Sequence, residues 1–342
     1  MKKITKLLTA TALSSVISTA ALAQLSIGGY VEASYITGST TGVLPGTKVL
    51  GNESSVQFRT KGKMSNGMGY EAYQEFQSVA TTSGERQITI NVNPSFDVFY
   101  GFNTVAGAET VRSIIPFATN RLTDISGLTG VTDIIENTSS EHFVGFNFKA
   151  GPGTLSFAYN PNGDAIATTS SDSARAVTTD ASYSGISVGY RAQVTPNILI
   201  GVGITKGDAK IAGREDPEGK QAGIRFSTGP FAIGVQQHKN EGVQATPQVA
   251  TVEDKVTQAS ATYALTKELT AGIAYAEQER KLAGVKNAVD TKVTVVSIGY
   301  NLGPVVASVD YESAENRSAD RISSAVSNSD SDTVKLRVRA NF

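Results

Sequence analysis

From Thr333 to Phe342 every second residue is apolar. Val334, Leu336, Val338, Ala340 and Phe342 fall on one face of an extended chain, and Thr333, Lys335, Arg337, Arg339 and Asn341 on the other. A helix would scatter those charges around its circumference. A strand sorts them into one face that lipid can accept and one that is wet and basic.

The pattern recurs along the chain. Val56, Phe58 and Thr60 oppose Gln57, Arg59, Lys61 and Lys63. Phe96, Val98, Tyr100 and Phe102 oppose Asp97, Phe99 and Asn103, and Val144, Phe146 and Phe148 oppose Gly145, Asn147 and Lys149. Ile198, Ile200, Val202 and Ile204 alternate with Leu199, Gly201, Gly203 and Thr205. A soluble sandwich also alternates, but with its apolar face turned inward. The first residues carry Lys2, Lys3 and Lys6, then an apolar stretch and the triplet Ala21-Leu22-Ala23, the pattern of a secretory signal cleaved before Gln24. This divides the chain into a leader, 1–23, and a single domain, 24–342. Beyond the leader no apolar run approaches the roughly 20 residues of a membrane helix. A membrane-spanning chain without such helices must close into a barrel, because backbone groups facing lipid have no water to bond.

Removing the leader takes three lysines from the 30 basic residues, leaving 27 against 31 acidic ones, a net charge of −4. That balance gives no concentrated basic surface for nucleic acid. Absence of cysteine excludes disulfides and thiolate chemistry.

Connections come in two lengths. Tight turns are expected at Asn66-Gly67, Asn93-Pro94, Gly151-Pro152-Gly153, Thr195-Pro196-Asn197, Gly229-Pro230, Lys267-Glu268 and Gly303-Pro304. Longer polar stretches lie near 37–53, 80–86, 105–141, 160–174, 207–219, 239–254, 278–290 and 313–330. Short turns alternating with long loops predict an all-β transmembrane antiparallel β-barrel of sixteen strands, with turns in the periplasm and loops outside. Across 175–193 the alternation slips at Ser184-Gly185. A turn there would make seventeen strands; a β-bulge would keep one long strand and the even count, and is preferred for that reason.

Glu53 to Gln77 reads ESSVQFRTKGKMSNGMGYEAYQEFQ and resembles the second hairpin of the Gram-negative general-diffusion porins. Arg86 stands where that family places an arginine at the head of the fourth strand, Ile135-Glu136-Asn137-Thr138-Ser139 is similar to the stretch closing its third loop, and the final VKLRVRANF resembles its terminal strand. The resemblance implies a homotrimeric channel whose third loop folds into the lumen. Ile115-Pro116-Phe117-Ala118 replaces the family's Pro-Glu-Phe-Gly-Gly motif, and Ser55 stands where an arginine is frequent, so selectivity does not transfer.

The residues themselves suggest how the pore is charged. The longest loop carries Glu109, Asp124, Asp133, Glu136 and Glu141, and wet strand faces carry Arg59, Lys61, Lys63, Arg86, Lys335, Arg337 and Arg339. Closure makes the first and last strands neighbours, so these bases are expected to form one patch, with Arg59 joining Arg337 and Arg339 across the seam. A loop folded inward would set acids against bases and tune ion passage. The expected function is passive diffusion of ions and small hydrophilic solutes across the outer membrane, without cofactor, metal or catalysis. A solute-specific channel and a non-conducting adhesin or structural barrel are the alternatives.

Some features suggest other chemistry. His142 lies beside Ser139, Ser140 and Glu141, but sequence neighbours on a strand do not form a triad and no nucleophile elbow is present. Ser327 to Asp332 lacks EF-hand spacing, and Lys61-Gly62-Lys63 lacks a phosphate-loop frame. His238 stands at the start of an expected loop.

Overall fold

The structure, a computed structural model, describes residues 24–40, 47–77, 85–102, 104–112, 114–118, 142–164, 182–209, 216, 218–241, 244–246, 249–282, 290–316 and 330–342. The strands are β1 (Gln24–Thr40), β2 (Thr47–Lys63), β3 (Gly69–Gln77), β4 (Arg86–Asn93), β5 (Phe96–Phe102), β6 (His142–Ala150), β7 (Gly153–Asp164), β8 (Ser182–Thr195) and β9 (Ile198–Ala209). They continue as β10 (Glu218–Thr228), β11 (Phe231–Glu241), β12 (Gln244–Thr246), β13 (Val249–Ala264), β14 (Leu269–Leu282), β15 (Thr291–Asn301), β16 (Val305–Glu315) and β17 (Ser331–Asn341).

Consecutive strands pair antiparallel, and β1 pairs with both β2 and β17, so the sheet closes on itself. The seam runs from Tyr30↔Asn341 to Thr40↔Ser331 and ends in reciprocal backbone bonds between Gly29 and Phe342 of 3.0 and 3.1 Å. β11 pairs directly with β13, while three-residue β12 folds back on the start of β13. The barrel therefore has sixteen staves.

The faces sort as the alternation requires. Leu336, Val338 and Phe342 are 43, 51 and 64% exposed on the outside, while Arg337 between them is largely covered inside. Phe58, Ile233, Ile273, Val296 and Val309 point outward in the same way. Outward aromatics stack across strands: Phe58 meets Phe76 edge-on at 6.0 Å, and Phe146 lies flat against Phe157 at 5.1 Å.

All seven short connections fall where turn residues stand. Asn66, Asn93 and Asn301 each accept a backbone N–H two residues on, and Gly67 and Gly303 take φ of 86° and 82°, which a side chain would resist. At the opposite end the strands outrun the sequence expectation. β1 continues to Thr40, β2 begins at Thr47, and β11 runs to Glu241, so His238 lies inside a strand. For β11 the cause is an outward row of ion pairs that extends the ladder beyond the apolar band, for example Lys239 with Glu253 at 3.0 Å and Lys255 with Glu279 at 2.7 Å. With both faces polar, alternation vanishes while pairing persists.

Ser184-Gly185 is neither a turn nor a bulge of its own strand. β8 pairs with β9 without interruption from Tyr183 to Gln193, and the irregularity lies in β7, where Pro161 and Asn162 together oppose Ser184. A proline has no N–H to give the ladder, which is why the extra residue sits there.

Candidate functional site

The connection between β5 and β6, residues 103–141, is L3 of the barrel. Its described part folds inward and runs along the inner wall as a ribbon. It starts over a lumen-facing apolar cluster of Phe99, Phe143 and Ala158, joined by Ala106. It then makes a single 3₁₀ turn at Gly107–Val111.

Five strands hold the ribbon's backbone, each with one polar side chain. Ser156 of β7 accepts from Gly107 N at 2.9 Å, and Ser187 of β8 from Ala108 N at 2.7 Å. Gln221 of β10 donates to the Ala108 carbonyl. Gln236 of β11 accepts from Ile114 N at 2.9 Å and donates to the Arg112 carbonyl at 2.5 Å, and Ser260 of β13 donates to the Pro116 carbonyl at 2.5 Å. A folded-in loop has no ladder of its own, so these side chains supply the partners its buried peptide groups need.

The same wall is stripped of side chains where the ribbon lies. A Cβ added at Gly201 would come within 2.5 Å of Ile114, at Gly203 within 2.8 Å of Ala108, at Gly234 within 3.0 Å of Ile115, and at Gly272 within 2.9 Å of Ala118. Ile114 is fully buried against Val111 and Leu199, which stabilises the seat by about 1.5–3 kcal/mol. Phe117 caps a second lumen-facing apolar patch that includes Val256, Val293 and Val295. Glycine, serine and glutamine at alternate positions of β7 to β14 thus form a groove for one loop.

The opposite wall, β16, β17, β1, β2 and β3, is charged. Arg337 lies between Glu32 at 3.6 Å and Asp310 at 3.8 Å, and Arg339 lies 3.4 Å from Glu32 with its guanidinium 3.5 Å above the Tyr30 ring. These separations are those of ion pairs rather than hydrogen bonds. Tyr30 donates to Glu53, Ser55 donates to Glu75, and Tyr73 donates to Glu75 at 3.2 Å. Arg59 pairs with Glu71 at 3.5 Å and covers the Tyr73 ring at 4.3 Å; Lys61 stands opposite Glu71 in the register. Lys335 stands opposite Asp310.

Several sequence expectations change. Arg59 does not join Arg337 and Arg339: it faces Ser26 on β1 whereas Arg339 faces Glu32, six residues on and about 20 Å along the strand. Arg86 shares the outward parity of Ile88 and Val92, its guanidinium 5.4 Å from the Phe102 ring, so it stands on the outer face. Its neighbour Glu85 is the inward group. Glu109 does lie in the folded-in ribbon, but it is paired at 2.6 Å with Arg112 of the same turn rather than facing the wall as a bare acid. Asp124, Asp133 and Glu136, with Ser139, Ser140 and Glu141, lie outside the described residues. The inward acids Glu32, Glu53, Glu75, Asp310 and Glu312 carry a parity signal that attention to basic residues alone passed over.

Glu85, just before β4, marks where wall and loop meet. Burial, then repulsion by Glu75, pushes its carboxyl up to about 6; the Tyr73 hydroxyl opposes this, Glu109 adds to it and Arg112 offsets part. Such a group is ionised at pH 7.5 and neutral at pH 5. Cation preference in bilayer reversal potentials is therefore expected to fall between those pH values with a midpoint near 6, and Glu85→Gln to flatten that step. For the groove, Gln236→Ala strands the Ile114 N–H and the Arg112 carbonyl at a cost of about 1–3 kcal/mol each. The expected result is a folded barrel whose single-channel current is markedly noisier than that of the unaltered protein; equal noise would remove Gln236 from the loop's anchoring.

A sheet closed without edges is found in known proteins. The chain superposes on OmpF from Salmonella typhi, solved with daunomycin, with a TM-score of 0.71, 11% identity, and coverage of 94% of this chain and 98% of that one. It superposes on an anion-selective porin from Comamonas acidovorans with a TM-score of 0.68, 12% identity, and coverage of 94% and 100%. For a mutant of the Rh. blastica porin the TM-score is 0.59 at 13% identity, with coverage of 93% and 100%. At such identities the likeness is one of fold. No curated protein sequence matches the chain. The family model for Gram-negative porins matches residues 9–331, almost the whole length, and the chain belongs to that family.

Proposed function

We propose that this porin's channel for passive diffusion of ions and small hydrophilic solutes crosses the outer membrane through the gap between L3 and the wall of β16, β17, β1, β2 and β3. The observation that carries this reading is the one-sided anchoring of L3. Its described residues bond to β7, β8, β10, β11 and β13, so the ribbon narrows the lumen from one side and leaves the charged wall wet.

Arg59, Lys61, Lys335, Arg337 and Arg339 line the wall side of the passage, and the buried Glu109–Arg112 pair stands on the loop side. Because Arg337 and Arg339 share Glu32 and Asp310, the patch is close to neutral, and selectivity there is weak. Charged rings in a narrow passage bias ions by their net charge, so paired charges bias little. The same pairs leave a transverse field that orients dipolar solutes. The barrel has no need of cofactor or turnover for this. Residues 1–23 serve as an export leader removed before Gln24, and the turn end of the barrel lies in the periplasm.

The outer surface has two unlike sides. Across the loop ends of β9 to β15 run ion pairs such as Lys206 with Glu218 and Lys292 with Glu277, suited to lipid headgroups. Around β2 to β7 the outward side chains are large and aromatic, including Phe58, Phe76, Tyr100 and Phe148. This difference supports a homotrimer in which the aromatic side meets neighbouring copies.

The test is swelling of liposomes containing the purified protein in iso-osmotic sugars. Small sugars are expected to enter at rates that fall steeply with molecular size and do not saturate with concentration. Saturable entry of one sugar would favour a solute-specific channel, and absence of entry would contradict the open passage.

A further inference from the structure

Arg59, Arg112, Arg337 and Arg339 each have a carboxylate within ion-pair distance. Among the described side chains, two lumen-facing arginines do not. Arg191 shares the inward parity of Ser187 and Gly189 on β8, and Arg225 that of Gln221 and Gly223 on β10; all four of those neighbours touch L3. Among the described residues no carboxylate pairs with Arg191 or Arg225. The Nε of Arg225 is buried and has no hydrogen-bond partner.

The register explains how two guanidiniums come to share a place. On β9, between them, Gly201 stands opposite Arg191 and Leu199 opposite Arg225. One intervening strand and a two-residue offset put the Cα atoms about 12 Å apart, within reach of two extended arginine side chains. The neighbouring inward positions are Thr154, Gln193, Ser227 and Gly234, which supply neutral polar groups or open space and no acid. Ile114 and Ile115 rest on Gly201 and Gly234, the partners of Arg191 and Arg225 in the register, and L3 crosses Gly189 and Gly223 two residues toward the loop ends. Both arginines therefore lie under the apolar edge of L3, toward the turn end.

We infer that Arg191 and Arg225 form a binding station for a small oxyanion of the phosphate, sulfate or carboxylate type, placed just on the turn side of the constriction. A guanidinium is never neutralised by losing its proton, so two of them without carboxylates, one exposed at Arg191 and one half-buried at Arg225 with its Nε covered, are stabilised by an anion that both can grip. Two planar forks meet a tetrahedral or planar oxyanion through paired N–H···O bonds, and the partial burial of Arg225 strengthens that attraction relative to open water. The station deepens the channel reading by naming a class of solute that would pause in the lumen, and it rests on that reading only for its access from solution.

The probe is inorganic phosphate at neutral pH, titrated into the full detergent-solubilised protein and followed by phosphorus NMR line broadening, with chloride single-channel current in planar bilayers as the second readout. Saturable binding is expected, together with saturable reduction of chloride current. In R191Q/R225Q the apparent affinity should weaken at least tenfold and the current reduction should disappear. R191K/R225K keeps the charge without the fork and should fall between. Heat-modifiable gel mobility checks that each variant is folded; should R191Q/R225Q not fold, the lysine variant and the unaltered protein decide. Absence of saturable binding to the unaltered protein, or undiminished affinity in the folded double variant, would overturn the station. Chloride steps without phosphate binding would sink this inference alone, whereas phosphate binding without chloride steps would sink the channel reading and leave the station.

Discussion

Hydrocarbon offers a peptide group no hydrogen-bond partner, and this single constraint organises the molecule. Each strand must pair on both sides, so the sheet has to close, and the last stave must meet the first in register. The seam between β1 and β17 meets that demand through an unbroken run of pairs from Tyr30 to Thr40. Once the sheet is closed, every strand has an inside and an outside, and the side chains follow. Leu336 and Val338 meet lipid because Arg337 meets the lumen.

Closure also creates a problem inside. A cylinder of sixteen staves encloses more space than its inward side chains can fill, and a long loop entering it brings unpaired peptide groups. The protein solves both with one wall. Ser156, Ser187, Gln221, Gln236 and Ser260 bond the ribbon, and Gly201, Gly203, Gly234 and Gly272 make room for it. The two walls then differ in kind: one is a seat for backbone, the other a mosaic of paired charges. In the proposed reading, passage and selectivity belong to the gap between them, and Arg191 and Arg225 belong to the seat's edge toward the turns.

What sequence reasoning could reach follows from the physics of each element. Strands that cross lipid announce themselves, because one face has no choice but to be apolar; the turns at Asn66-Gly67 and Gly303-Pro304 are equally plain, since few residues accept their backbone. Strand ends were harder to see. At Lys239 and Glu253 both faces are polar, so the ladder continues where alternation has already faded. The site was partly legible. Parity placed Arg59, Arg337 and Arg339 inside, but not their carboxylate partners, because pairing depends on register across the seam and not on spacing along a strand. Arg86 shows the limit of position by analogy: one residue of parity moved the inward role to Glu85. The glycines of the groove look like ordinary small residues until the loop that needs them is in place.

A barrel that conducts must line an open passage with the face opposite lipid. Because the chain has no native cysteine, single cysteines can be placed in turn at Val56, Gln57, Phe58 and Arg59 and probed with a small charged thiol reagent during single-channel recording. Long-lived conductance steps are expected for all four, with abrupt and persistent loss of current on modification at Gln57 and Arg59 and none at Val56 and Phe58. Folded barrels without steps, or block at Val56 and Phe58 instead, would contradict that lining.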